Sequence, residues 1–241
     1  MRVHMLGGPC RRRDAGMPDP RDASPVVLSA FEKAAVDRTT FVRVLRLAVQ
    51  AMDRAGVAYL LIGGVAGSAY GRPLSTLDID LFVRPDEAEK ALHSLESLGF
   101  DTQRTAPHWL YKAYMEGVVI DVIFCSSGDI YLDDAMLERS RVAEVHGAQV
   151  RLISPEDLIV LKALAHSEPT ARYWFDALAV VARSPIDWPY LLKRARHGPK
   201  RILSFLLFAQ SLDLPVPADV VRSIHRLAVA GGGSVPGARA S

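Results

Sequence analysis

LLIGGVAGSAYGRPLSTLDIDLFV, residues 60–83, is the stretch from which the architecture of this chain can be read. It opens within the run 57–62, short and almost wholly apolar, the pattern of a strand buried on both faces. That run stops at Gly63 and Gly64, and a short helix to about Tyr70 is predicted to follow. The closing residues, 77–83, alternate acid with aliphatic. A period of two is that of a strand, and it places Asp78 and Asp80 on one face, Ile79 and Leu81 on the other.

Upstream, Phe41, Val44, Leu45, Ala48 and Met52 recur at helical spacing and Gly56 supplies a stop, so a helix is expected over 40–55. Downstream, Pro85 and Asp86 open a helix whose apolar side is Ala88, Leu92, Leu95 and Leu98, ended by Gly99. Segments 100–105, 108–114 and 118–124 read as strands, the last two joined by a tight turn at Glu116 and Gly117. A small strand pair is expected around His146 and Gly147. From Ser154 the pattern becomes helical: Ser154 caps, Pro155 suits the first helical position and Asp157 completes a capping-box-like start for a helix to Ala165. Further helices are predicted near 169–183, 187–196, 199–212 and 217–229. The fold class is therefore α/β (α+β), a mixed-sheet domain over 39–152 followed by a helical domain over 153–230. Residues 1–38 and 231–241 lack apolar periodicity over most of their length and read as a disordered extension, or an over-called start codon, and a disordered tail.

Composition narrows the function classes. A chain of 241 residues with 49% hydrophobic content can bury one large core or a compact pair of them. A formal net charge of +2 is far from the basic excess of proteins whose function is phosphate-backbone binding, so nucleic acid is an allowed partner and not a demanded one. Cys10 and Cys125 stand alone, which gives neither a disulfide framework nor a zinc site. No apolar run reaches the roughly 18–20 residues that span a bilayer. Arg11 to Arg13 lead into Asp14 and prolines and not into a signal core, so the expected compartment is the cytoplasm, with no membrane partner.

Asp78 and Asp80 carry the first chemical signal. Two ionised carboxylates on one face of an apolar strand repel and are poorly solvated unless a cation sits between them. Hard oxygen ligands favour Mg²⁺ or Mn²⁺, and this spacing allows one carboxylate to bridge two ions about 4 Å apart, as in two-metal phosphoryl transfer. An edge strand with its acids turned to water explains the pair alone equally well. Asp121 strengthens the cation reading, because it interrupts the core-like run VVIDVIF at 118–124 and needs a partner there. That partner is a shared ion, with Asp121 accepting a proton from an attacking hydroxyl, or else an arginine such as Arg72. Gly63 and Gly64 at a strand-to-helix turn let backbone approach a phosphate, though a plain tight turn also uses two glycines. Ser68 and Arg72, one helical turn apart, could face nucleotide phosphates; a helix-surface serine and an arginine neutralising the acids are the bland alternatives.

Taken together, the glycine pair after an apolar strand, the spacer, Asp-x-Asp flanked by aliphatics and the later VVIDVIF resemble the signature of the DNA polymerase β superfamily of nucleotidyltransferases. Within it, GGVA with RPLSTLDIDL is most similar to the abortive-infection (AbiEii-type) toxin nucleotidyltransferases. The resemblance implies Asp78, Asp80 and Asp121 as catalytic metal ligands, Mg²⁺ or Mn²⁺ as cofactor and an NTP (ATP among them) as substrate. It extends to SPEDLIVLKALAH and ARYWFDAL, where it implies that Lys162 contacts the triphosphate and Asp176 helps organise the site across a cleft. Tyr173 departs from the family by standing where an acid often follows the basic Arg172. Without the resemblance, Lys162 reads as a solvated lysine on an amphipathic helix.

The expected activity is transfer of a nucleoside monophosphate from an NTP to a hydroxyl. By the same resemblance the acceptor is tRNA or another RNA, and the protein is the toxin of a toxin–antitoxin pair with an antitoxin partner. A small-molecule, antibiotic-type acceptor is the nearest alternative, and a catalytically inactive nucleotide-binding module is a third. The seven histidines are scattered singly, Phe205, Leu206, Leu207 and Phe208 read as core, and Lys193, Arg194, Arg196, Lys200 and Arg201 form a local basic cluster, a solvated face or an approach for RNA.

Overall fold

A computed structural model of the protein describes residues 36–71, 78–145, 147–167, 170 and 172–230. The expected extension before residue 36, the tail from 231, Arg72, His146 and Cys10 lie outside the described residues.

The first helix, α1 (Arg38–Ala55), starts where the Asp37 carboxylate accepts the Thr40 amide and ends at Gly56, whose φ of 60° is the left-handed stop that glycine tolerates. Its buried side is Phe41, Val44, Leu45, Ala48 and Met52, joined by Val49 and Ala51. Next come β1 (Tyr59–Leu61), α2 (Gly63–Ala69), β2 (Asp78–Val83) and, after a 3₁₀ turn at Pro85–Glu87, α3 (Ala88–Glu96). Three strands follow, β3 (Asp101–Ala106), β4 (Leu110–Met115) and β5 (Val118–Ile123). Then come α4 (Asp134–Glu138) and the hairpin of β6 (Arg141–Val145) and β7 (Ala148–Leu152). The helical part comprises α5 (Pro155–Ala165), α6 (Arg172–Arg183), α7 (Trp188–Arg194), a 3₁₀ turn, α8 (Pro199–Ser211) and α9 (Ala218–Ala230). Only α4 had no counterpart in the sequence pattern, since five residues are too few to display a helical period.

The described strands form one mixed sheet in the order β3-β4-β5-β2-β1-β7-β6. Strand β2 runs parallel to β5 and β1 parallel to β7, while the other neighbours are antiparallel. All of β1 is buried, as its apolar run requires. In β2 and β5 burial alternates: Ile79, Leu81, Ile120 and Val122 are fully buried in the core, and Asp78, Asp80 and Asp121 occupy the opposite, half-buried face. The β4–β5 turn has left-handed backbone at Glu116 (φ 50°) and Gly117 (φ 79°), which matches strand twist and fixes Met115 opposite Val118.

Helix α5 is capped by Ser154, whose hydroxyl oxygen accepts the Asp157 amide, and every residue from Pro155 to Ala163 is buried. It packs on α2, α6, α7 and α8, so the lysine it carries is not on a solvated face. One contiguous apolar cluster runs from Phe41 to Ile224 and joins sheet and helices. A charged cluster spans them too. The Arg194 guanidinium lies 2.8 Å from the Asp157 carboxylate and 2.5 Å from that of Asp133, the α4 cap, while the Tyr190 and Ser154 hydroxyls both donate to Asp157 at 2.9 Å. Arg194 is thus withdrawn from the expected basic cluster, because its side chain answers a buried carboxylate; Lys193, Arg196, Lys200 and Arg201 remain exposed. Of the expected core run, Phe205 and Leu206 are buried, whereas Leu207 points outward at 49% exposure, as helical rotation dictates.

Asp157 is fully buried, so Arg194→Ala leaves its charge with hydroxyl donors and no countercharge, a loss worth about 3–5 kcal/mol. The urea midpoint should fall accordingly, whereas Lys193→Ala, exposed on the same helix, should change stability by less than about 0.5 kcal/mol. Equal losses in the two variants would contradict a load carried by the buried cluster.

Candidate active site

Above the half-buried face of β2 and β5 lies a cavity of about 370 Å³, closed on its other side by α5 and α6. Asp78, Asp80 and Asp121 line it together with Gly63, Gly64, Lys162, Arg172, Tyr173 and Asp176. Sheet register explains the grouping of the acids: Asp80 and Asp121 are direct partners across the parallel β2–β5 pair, and Asp78 lies two residues back along the same face.

Gly63 fits this site for two reasons. Its φ of 62° is left-handed, and a Cβ built on it would fall 1.9 Å from Oδ2 of Asp80. The carboxylate therefore occupies the volume that any other residue would fill. The Ile62 amide donates to the Asp80 carbonyl at 3.0 Å, and the Gly64 amide donates to the Asp80 side chain. Loss of solvent, chiefly, and the negative charges of Asp121 and Asp78 push the Asp80 carboxyl up to about 6, against the opposing pull of Lys162 and the Gly64 amide. Burial likewise raises Asp121, opposed by the Lys112 ammonium and reinforced by Asp78.

On the helical side, the Lys162 ammonium donates to Oδ2 of Asp176 at 2.7 Å, and both side chains are buried. The ammonium also lies 5.0 Å from the centre of the Tyr173 ring, with the Arg172 guanidinium 5.9 Å from the same ring. Tyr173 thus offers the two cations an aromatic face.

Most of the expected residues meet in this cavity. Ser68 does not line it: five positions beyond Gly63 the helix has turned, and the hydroxyl donates back to the Val65 carbonyl at 2.7 Å. Arg72 is outside the described residues, and Asp121 pairs with Lys112 at 2.5 Å. Lys112 went unnoticed in the sequence, although the Glu116–Gly117 turn fixes Met115 opposite Val118 and hence Lys112 opposite Asp121. Trp109, Cys125, Ser126 and Ser127 also line the cavity and carry no sequence signal of doing so.

Three carboxylates facing one cavity, one of them made protonation-prone chiefly by burial and further by its two acidic neighbours, fit a divalent cation in the chemistry of their donors. Among the described residues, however, no three His, Cys, Asp or Glu side chains already form a metal cage.

The acid pair thus stands on the central strand of a seven-stranded mixed sheet roofed by helices. The chain belongs to the family described as "Nucleotidyl transferase of unknown function (DUF2204)", which matches residues 41–194. Comparison with curated proteins gives no match. Among solved structures, the antibiotic-resistance factor ANT(2'')-Ia is similar at 21% identity, over 81% of this chain and 92% of that one, with a TM-score of 0.45. An antigenic nucleotidyltransferase-like protein from Paracoccidioides brasiliensis is similar at 15% identity, over 79% and 94%, with a TM-score of 0.49. The lincosamide antibiotic adenylyltransferase LnuA, lincomycin-bound, is similar at 17% identity, over 62% and 99%, with a TM-score of 0.43.

A carboxyl raised from 3.8 to about 6 favours the fold when protonated, so its contribution is complete below pH 3.8 and is lost as pH rises through about 6. At pH 8 the ionised Asp80 costs the metal-free protein up to about 3 kcal/mol. Asp80→Asn should therefore raise the pH 8 urea midpoint in EDTA and narrow its gap from the pH 5 value. An Asn variant no more stable than the wild type at pH 8 would contradict this account of the acidic cluster.

Proposed function

We propose that the protein transfers a nucleoside monophosphate from an NTP to an acceptor hydroxyl and releases pyrophosphate. The observation that carries this reading is the meeting of Asp78, Asp80 and Asp121 with Lys162 in one cavity, beside a glycine turn shaped around Asp80. In the attack, the acceptor oxygen bonds the α-phosphorus as the bond to the β-phosphate bridging oxygen breaks. Asp121 takes the hydroxyl proton. Asp78 and Asp80, with or without Asp121, would hold Mg²⁺ or Mn²⁺, which when bound supplies neutralising charge and Lewis acidity at the phosphates. Lys162, oriented by Asp176, and Arg172 offer positive charge to the triphosphate, while the Gly63–Gly64 turn leaves the backbone open to it. In this reading residues 39–152 supply the acids and 153–230 supply the phosphate-binding roof.

For the acceptor, the motif resemblance supports an RNA 3′ end, in a toxin that requires an antitoxin partner. Exposed Lys193, Arg196 and Lys200, on and beside the turn that packs on the loop next to Ser127, suit an RNA acceptor. Incubation with α-labelled NTPs, Mg²⁺ and either total RNA or an aminoglycoside panel tests both levels. Label is expected in RNA; label in the aminoglycosides alone would replace the acceptor and keep the chemistry. Asp80→Ala should lower transfer at least about 10³-fold while remaining folded. Wild-type transfer by that variant, or nucleotide binding with no labelled product in any arm, would defeat the proposal.

A further inference from the structure

Asp80, Asp121 and Lys112 are successive register partners on β2, β5 and β4. Directly opposed strand residues present their side chains on the same face, so the backbone itself delivers an ammonium group to the third carboxylate. Lys112 and Asp121 are three-quarters or more withdrawn from solvent and meet at 2.5 Å. Lys162, from α5, approaches the cluster from the other side: it opposes the charge of Asp80 and binds Asp176. The four carboxylates of the cavity, Asp78, Asp80, Asp121 and Asp176, thus face two buried or half-buried lysines.

We propose that Lys112 is a positioning residue that serves as the built-in cation of Asp121, so that the site takes a single divalent ion, at Asp78 and Asp80. This rests on the nucleotidyl-transfer reading above and departs from the two-ion arrangement that the strand spacing alone allows. An ion bound by Asp121 would have to displace the ammonium or stand beside it, and both are unfavourable at this distance. Lys112 engages Oδ1 of Asp121 and leaves Oδ2 to receive the acceptor proton.

Counting Mn²⁺ by electron paramagnetic resonance, in the nucleotide-free protein titrated with MnCl₂, tests this without an activity measurement. One ion per chain is expected for the wild type and for Lys112→Arg, which keeps the charge. Lys112→Met should bind two, and the double variant Lys112→Met with Asp121→Asn should return to one. Should Lys112→Met not fold, Lys112→Gln, uncharged and able to hydrogen-bond, serves the same count. Two ions in the wild type, or a single ion of unchanged affinity in the uncharged variants, would overturn the proposal and leave the transfer reading standing. No bound ion in any of these proteins would overturn the site reading and the proposal together.

Discussion

The Asp80 carboxylate occupies the space that a side chain would need at Gly63, and this exclusion ties the turn between β1 and α2 to the acidic strand β2. Two demands meet at residue 63, a left-handed backbone and the absence of a Cβ, and only glycine satisfies both. The Ile62 amide, bonded to the Asp80 carbonyl, continues the edge of β1 past its last paired residue, so turn and carboxylate are held by backbone as well as by shape. What the arrangement costs is visible in the same residue. Its charge sits beside those of Asp121 and Asp78 with little solvent, and Lys162 and the Gly64 amide oppose it.

The helical half answers that charge. An amphipathic α5 would have left Lys162 in water, where a flexible ammonium contributes little. Burial of α5 from Pro155 to Ala163 instead fixes the lysine against Asp176 and the Tyr173 ring. A helix enclosed in this way needs its own polar ends satisfied, and the Ser154–Asp157–Tyr190–Arg194 cluster does so at its first turn. Asp133 brings α4 into the same cluster. The cavity-facing end of α5 is thereby referenced to the sheet through its opposite end.

The sheet-bearing half was legible because its signals are local. Alternation in 77–83, the apolar run before Gly63 and the Glu116–Gly117 turn each specify backbone within a few residues, and the observed strands differ from the expected ones by one or two positions. The convergence of the candidate site's acids on one cavity was legible where chemistry conflicts with burial: Asp121 within an apolar run, Asp78 and Asp80 within a strand. Lys112 escaped notice because a lysine on a strand is unremarkable until its register partner is known. Arg194 was misplaced for the opposite reason. Its basic neighbours suggested a solvated face, and nothing local announces that a buried carboxylate 37 residues earlier claims it. Lys162 could be singled out only by resemblance, since three-dimensional enclosure of α5 leaves no periodic trace in an apolar helix.

Like charges directly opposed across paired strands weaken a sheet, and Asp80 opposite Asp121 is such a pair at the centre of this one. The pairing survives because the other face of the same residues' strands is wholly apolar: Ile79, Leu81, Ile120 and Val122 are fully buried beneath α1 and α3. A one-residue slip would turn those four outward and the acids into the core. Register is therefore set by the core face and merely inherited by the acidic face. That division of labour lets three carboxylates and a lysine stand in fixed order without stabilising the fold themselves, and it is why their mutual repulsion is available to be relieved by a bound cation.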